Sequence, residues 1–246
     1  MDEELQGRIK GFFDYWRNRY TFIYNLDFEQ HNHEANVLLW ASLDALSNLW
    51  AKNIGKKQCG NKRSRLIFDA FLARYGGDLF QIVSLPDVWN RVDALVNTLE
   101  PQKLSKDVYT FLSKIGDRRE PTVEEKSIPR EILADWRIDK IITATLKEYP
   151  KTNRDELEEW LIMSRYGAIA YKEMRSPYIH EGRSGKGTHG FNLHESQKRP
   201  TYLSWIYTTP PTIGFSVEFM LGVLEFCINS FEANALELQQ DPVPPE

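Results

Sequence analysis

Arg175 and His180 stand with four residues between them in the segment Met174-Arg175-Ser176-Pro177-Tyr178-Ile179-His180-Glu181-Gly182. A guanidinium grips oxyanions through a fixed fork of N–H donors, and an imidazole takes up or releases a proton near neutral pH. Together they could hold an anion and move a proton beside it. Ser176 follows the arginine directly and Glu181 is placed to orient the imidazole, while Tyr178 reads either as a stacking surface or as a core residue.

Competing chemistries fail on spacing. His31, His33 and Glu34 look like metal ligands, yet residues two apart do not share a helical face and no third histidine stands at ligand distance in the sequence. Lys186 is followed by Gly187 rather than by serine or threonine, and His180 fills the position where a Walker loop needs its first glycine. Cys59 and Cys227 lie far apart and offer neither a disulfide framework nor metal spacing, which points to a reducing compartment. No metal site and no cofactor are predicted.

The pair depends on the helix that leads to it. From about Asn153 to Met174 the spacing predicts one helix, with Leu157, Leu161, Ser164, Ala168 and Tyr171 on a single stripe whose next member is Arg175. A charge aimed where an apolar residue belongs needs a counter-charge or a ligand. Pro177 disfavours helical geometry at Ser176 and supplies no backbone donor, so the helix is predicted to end or kink at Arg175–Ser176. Asp44, set among Leu43, Ala45 and Leu46, is either the buried partner of Arg175 or a solvated carboxylate.

Further helices surround this one. The opening segment from about Glu3 to Tyr24 reads as a helix passing into a short extended piece, its aromatics interleaved with Arg8, Lys10, Arg17 and Arg19 for packing or for base stacking. His31 to Asn53 carries Leu39, Leu43, Leu46 and Trp50 on one stripe. The stretch from Lys56 to Arg65, which includes Lys62 and Arg63, has a charge of +5 over ten residues and reads equally as a solvated connection or as a phosphate-contacting loop. A helix near Leu66 to Arg74 closes at Gly76-Gly77. Leu79 to Leu85 is expected to be extended, while Asp87 to Leu99, Lys106 to Ile115 and Pro129 to Leu146 are expected to be helical; Gly116 to Thr122 reads as an exposed turn. The glycine-rich run Gly182 to Arg199 is expected to be a loop, with four cations against one acid. Thr201 to Tyr207 reads as a strand or strap and Ile213 to Leu238 as a long final helix.

The whole chain bounds what these parts can do. With 41% hydrophobic and 13% aromatic residues, the 246 residues suffice for a packed core. A formal charge of -4 argues against a basic nucleic-acid coat, so any polyanion site must be local. The acidic start lacks a signal-peptide pattern and no apolar run approaches about 20 residues, so a cytoplasmic protein without membrane partners is expected. The predicted fold class is all-α, a helical bundle with irregular insertions and one short extended strap. A single domain is expected over 1–238, its core about 28–238 with a helical extension at 1–27, followed by a disordered proline-rich tail at 239–246.

Arg175, four residues and His180, at the end of a penultimate helix before one long final helix, resemble the signature of the HEPN superfamily of helical domains. The continuation His180-Glu181-Gly182 and the earlier Ser42-Leu43-Asp44-Ala45-Leu46 are similar to uncharacterised bacterial members. Ser176 departs from the Asn, Asp or His commoner after the arginine. The resemblance covers about Phe28 to Leu238 and implies a metal-independent endoribonuclease working as a homodimer, with two motifs facing across a cleft. It further implies RNA as substrate, Arg175 and His180 as catalytic residues, and a toxin or antiviral effector restrained by an antitoxin or another defence protein. Arg183, Lys186, His189 and Lys198, with Lys62 and Arg63, would then meet the RNA backbone. The alternative is a non-catalytic helical dimer or adaptor in which Arg175 and His180 make only structural contacts.

Overall fold

The computed structural model describes residues 2–95, 102–116, 118, 130–189, 199–202 and 212–243. Helix α1 (Glu3–Tyr24) starts at Asp2, whose side chain accepts a hydrogen bond from the Glu4 backbone at 3.1 Å. It stays helical to Tyr24, so the extended ending expected there is corrected: Ile23 at the last turn is buried, and that burial continues the stripe of Ile9, Phe13 and Trp16. Helix α2 (Phe28–Lys52) buries Leu39, Leu43, Leu46 and Trp50 as its stripe predicts. A short α3 (Lys56–Cys59) precedes α4 (Ser64–Tyr75), and Gly77 beyond it takes a positive φ of 93°, which glycine adopts without strain.

The middle of the chain departs more from expectation. Asp78–Gln81 is a 3-10 turn and only Ile82–Val83 is extended, as β1, before α5 (Leu85–Leu95) and α6 (Lys106–Leu112). Residues 96–99, expected to be helical, and most of the predicted turn at 116–122 lie outside the described residues. Pro129 lies outside the described residues; within the rest of the helix expected over 129–146, Ile132–Ala134 is a 3-10 turn and the α-helix begins only at Ile138. Trp136–Arg137 form β2, antiparallel to β1, and α7 (Ile138–Glu148) follows. The delay has a physical cause in Asp135, extended backbone whose buried carboxylate accepts from Leu85 N, Tyr166 Oη, Tyr202 Oη and Arg130 and so keeps α-helix from starting before it.

The single helix expected from Asn153 to Met174 is also corrected. Asn153 caps α8 (Arg154–Ile162), which ends at Met163; Arg165 then makes a strand-like bridge to Val83 and Ser164 O accepts from Ser84 N at 2.9 Å. The chain re-enters helix as α9 (Tyr166–Ala170), a π turn (Tyr171–Arg175) and α10 (Ser176–Glu181). Beyond it β3 (Thr188–His189), β4 (Thr201–Tyr202) and β5 (Ile213–Gly214) form a small sheet in the order β3-β5-β4. The predicted strap is thus seen at Thr201–Tyr202, and 203–207 lie outside the described residues. Because Ile213–Gly214 is spent in that sheet, the final helix α11 runs Val217–Leu238, started by Ser216, whose hydroxyl accepts from Phe219 N.

These elements make a mostly α bundle with two apolar clusters. The larger packs α1, α2, α4 and α11, with Phe13 and Phe231 meeting edge to face at 5.3 Å and Phe71 against Phe231 at 5.8 Å. Such pairs add about 0.5–1.5 kcal/mol beyond their burial. The smaller joins α5, α6, α7 and α8 around Val88, Leu112, Ile141 and Leu161. Leu157 and Leu161 therefore serve the smaller cluster while Tyr171 packs on the larger, which is why the stripe read along 153–174 does not describe one face. From the tail, Gln240 donates to Asn53 and Asp241 accepts from Arg8; 244–246 lie outside the described residues. No described helix is long and apolar enough to cross a membrane.

Candidate functional site

Pro177 does not end the helix. The backbone N–H of Ser176 reaches back to Tyr171 O, five residues away, and this wider π turn makes room for a proline ring that would otherwise strike the carbonyl of Glu173. Glu173 O lacks the donor that Pro177 cannot supply and accepts instead from Gly185 N at 2.6 Å. The helix continues to Glu181 and stops at Gly182, left-handed at φ 66°. The predicted break at Arg175–Ser176 is thus corrected to a local widening, and the loop after Gly182 is tied back onto it.

Arg175 finds the partner its position demands. Its Nη2 donates to Asp44 Oδ2 at 2.6 Å, both side chains are 15% exposed, and its guanidinium lies over the Tyr171 ring at 5.0 Å. Arg175 Nε and Asp44 Oδ1 are buried without a hydrogen-bond partner among the described residues. A hydrogen bond to a charged group in such a setting contributes about 1.5–3 kcal/mol. Of the two readings of Asp44, the solvated carboxylate is the one to drop.

His180 is exposed in the last turn of α10, and Ser176 is half-buried at its first. At about 100° per residue, five residues turn the two side chains roughly 140° apart around the helix. Arg175 faces α2 and His180 does not share that face. Tyr178 is half-buried against the larger cluster, its ring 6.1 Å from that of His33, and burial raises its phenol above the usual range. Glu181 accepts from Arg183 Nη2 at 2.9 Å, so the two exposed charges at the helix end satisfy one another.

The remaining cations scatter. Lys186 is exposed on the loop beside Glu173 and Gly187. His189 lies in β3, its side chain outside the described residues, as is Lys198 altogether. Lys62 and Arg63 are exposed in the turn before α4, without an ion pair to a described residue. Their neighbour Arg65 points inward and donates to Ala168 O and Met163 O at 2.9 and 2.8 Å, closing the break between α8 and α9. Among the described residues no three His, Cys, Asp or Glu side chains gather as a metal site; His31 pairs loosely with Glu34 at 3.9 Å and His33 turns toward Tyr178.

Comparison with protein-family models, with curated proteins and with solved structures gives no significant match.

Sequence reasoning missed two buried groups. Asp69 on α4 accepts two bonds from Arg165, with side-chain exposures of 0% and 9%. Its signal was the one that marked Asp44, a carboxylate inside the apolar run Phe68-Asp69-Ala70-Phe71-Leu72. Gly167 lets α9 approach, since a Cβ there would stand 3.2 Å from Asp69 Cα. The second group is the Asp135 centre. Both thiols are inert by placement: Cys227 is 0% and Cys59 3% exposed, and burial pushes each up from its ordinary range. Titration with a chromogenic disulfide at pH 8 is expected to find no reactive thiol in the native protein and two in guanidinium chloride.

Proposed function

We propose that the chain is a metal-independent endoribonuclease of the HEPN type, cleaving single-stranded RNA as a homodimer in the cytoplasm, and that it serves as a toxin or antiviral effector restrained by a partner protein. The observation that carries this reading is the fixing of the Arg175 guanidinium by Asp44 and Tyr171 at one end of the short helix whose exposed other end carries His180. An arginine with little freedom left to lose suits the charge that develops on a phosphorane. In the reaction a base takes the 2'-hydroxyl proton, O2' bonds to phosphorus, and the P–O5' bond breaks as an acid protonates the departing oxygen. The product ends are a 2',3'-cyclic phosphate and a 5'-hydroxyl. Because His180 is turned away from Arg175 within one chain, the reading requires two protomers, one histidine acting as base and the other as acid.

Wild-type protein in EDTA is expected to cut unstructured RNA, with cyclic phosphate ends detected by mass spectrometry. Intact RNA under all conditions, from a protein shown to be dimeric, favours the alternative of a non-catalytic adaptor. That alternative has its own observation, since Arg175 already holds Asp44 in the manner of a structural tie between α2 and the π turn.

A further inference from the structure

Between the two apolar clusters lies a cavity of about 390 Å³, lined by residues from α4, α5, the α8–α9 break, the π turn and the loop after Gly182. Its volume falls in the range of small-molecule sites, roughly 300–1,000 Å³. Arg65 and Arg91 enter it from α4 and α5. Both are part-buried, and neither makes an ion pair with a described carboxylate: Arg65 donates to the carbonyls of Met163 and Ala168, and Arg91 donates to Trp160 O and Ser164 Oγ, both at 2.8 Å. Neutral acceptors hold the forks in place without cancelling their charge. Burial lowers both guanidinium groups from their ordinary range, and the charge of Arg65 further lowers Arg91.

Two cations kept close together and partly out of water, with donors to spare, want an anion. Asp87 lines the same cavity and offsets part of the charge, yet pairs with neither arginine. Glu173 is occupied by Lys172 Nζ at 2.7 Å and by Gly187 N at 3.0 Å. With Lys172 and Lys186 also on the rim, four cations face two acids. Met163, Ile169 and Ile213 supply an apolar wall.

We propose that this cavity binds a phosphate group carried by a small molecule, the phosphate seated between Arg65 and Arg91 and the organic body against Met163, Ile169 and Ile213. The site is separate from Arg175 and His180 and stands whether or not RNA is cut.

Calorimetric titration of the full chain with inorganic phosphate and with adenosine 5'-monophosphate tests it. One-to-one binding is expected, at least about tenfold tighter for the monophosphate if the apolar wall is used; equal binding identifies free phosphate as the ligand. Arg91→Lys keeps charge but loses the fork and is expected to weaken binding about tenfold or more. Because Arg91 also holds Trp160 and Ser164, the exposed pair Lys172→Ala/Lys186→Ala gives a second measure that does not depend on the core, with a loss of about threefold or more expected. Absence of binding by either probe at millimolar concentration overturns the proposal, as does affinity unchanged in both variants.

Discussion

His180→Ala is expected to slow RNA cleavage by about 10²–10⁴-fold, the usual contribution of a positioned acid or base, while changing unfolding free energy by no more than about 0.5 kcal/mol. The two halves of this expectation rest on different observations. The side chain is exposed at the end of α10 and has no hydrogen bond to a described residue, so its truncation opens no cavity and orphans no polar group. Any large loss of activity must then come from chemistry. Arg175→Ala is a poorer probe because it leaves the Asp44 carboxylate, 15% exposed, without its counter-charge. Arg175→Lys retains the charge and removes the fork, and is expected to lose cleavage while keeping most stability. Initial rates on a fluorescent RNA in EDTA, with urea unfolding of each variant, separate the effects. Cleavage by His180→Ala at the wild-type rate would sink the assignment.

Arg165→Met is expected to lower stability by about 3–5 kcal/mol at pH 7, the cost of leaving a buried carboxylate without its partner. Asp69 is fully buried, and its bonds from Arg165 Nε and Nη2 are the charge-assisted contacts that compensate it. Burial is the largest influence on this carboxyl and raises it above the ordinary value of 3.8, with Arg165 opposing. Removing Arg165 leaves burial with less opposition, so the folded-state value climbs further above the unfolded one. A raised carboxyl value means that stability is fully present below the unfolded value and is lost as pH rises through the folded one. The penalty is therefore expected to be smaller near pH 4 than at pH 7, approaching the packing loss alone. Urea midpoints at the two pH values measure it; a penalty independent of pH would show that Asp69 stays charged in the variant or that the loss is purely steric.

What the sequence disclosed follows from how local each signal is. The buried stripe of α2 and the glycines closing α4 rest on spacing and are found in place, whereas the charge of Asp44 inside an apolar run left two readings open, between which only the packed structure chooses the pairing with Arg175. The break at Met163–Arg165 was not legible, since neither proline nor glycine marks it. It is set by Val83, Ser84 and Arg65, which are distant in sequence and bond to Arg165, Ser164 and Met163. Arg65 likewise reads as one more cation in a basic run, and only the packed structure turns it inward. The roles of Ser176, Glu181 and Tyr178 beside His180 rest on the enzyme reading, although Tyr178 packs on the core and Glu181 takes Arg183 as its neighbour.

The π turn has a consequence for how the end of this helix is aimed. A turn closed by bonds to the fifth residue back holds one residue more than an α-turn, so every residue after it sits about 100° behind the place its number would give it in an unbroken α-helix. Deleting one residue within Tyr171–Arg175 would restore the ordinary pitch and leave Tyr178 and His180 facing as they do, whereas closing the turn to α geometry with all five residues kept would swing both by about 100° relative to α9. The direction in which His180 leaves the molecule is thus set by one residue taken up inside the turn, while Arg175 and Tyr178 stay anchored to the bundle.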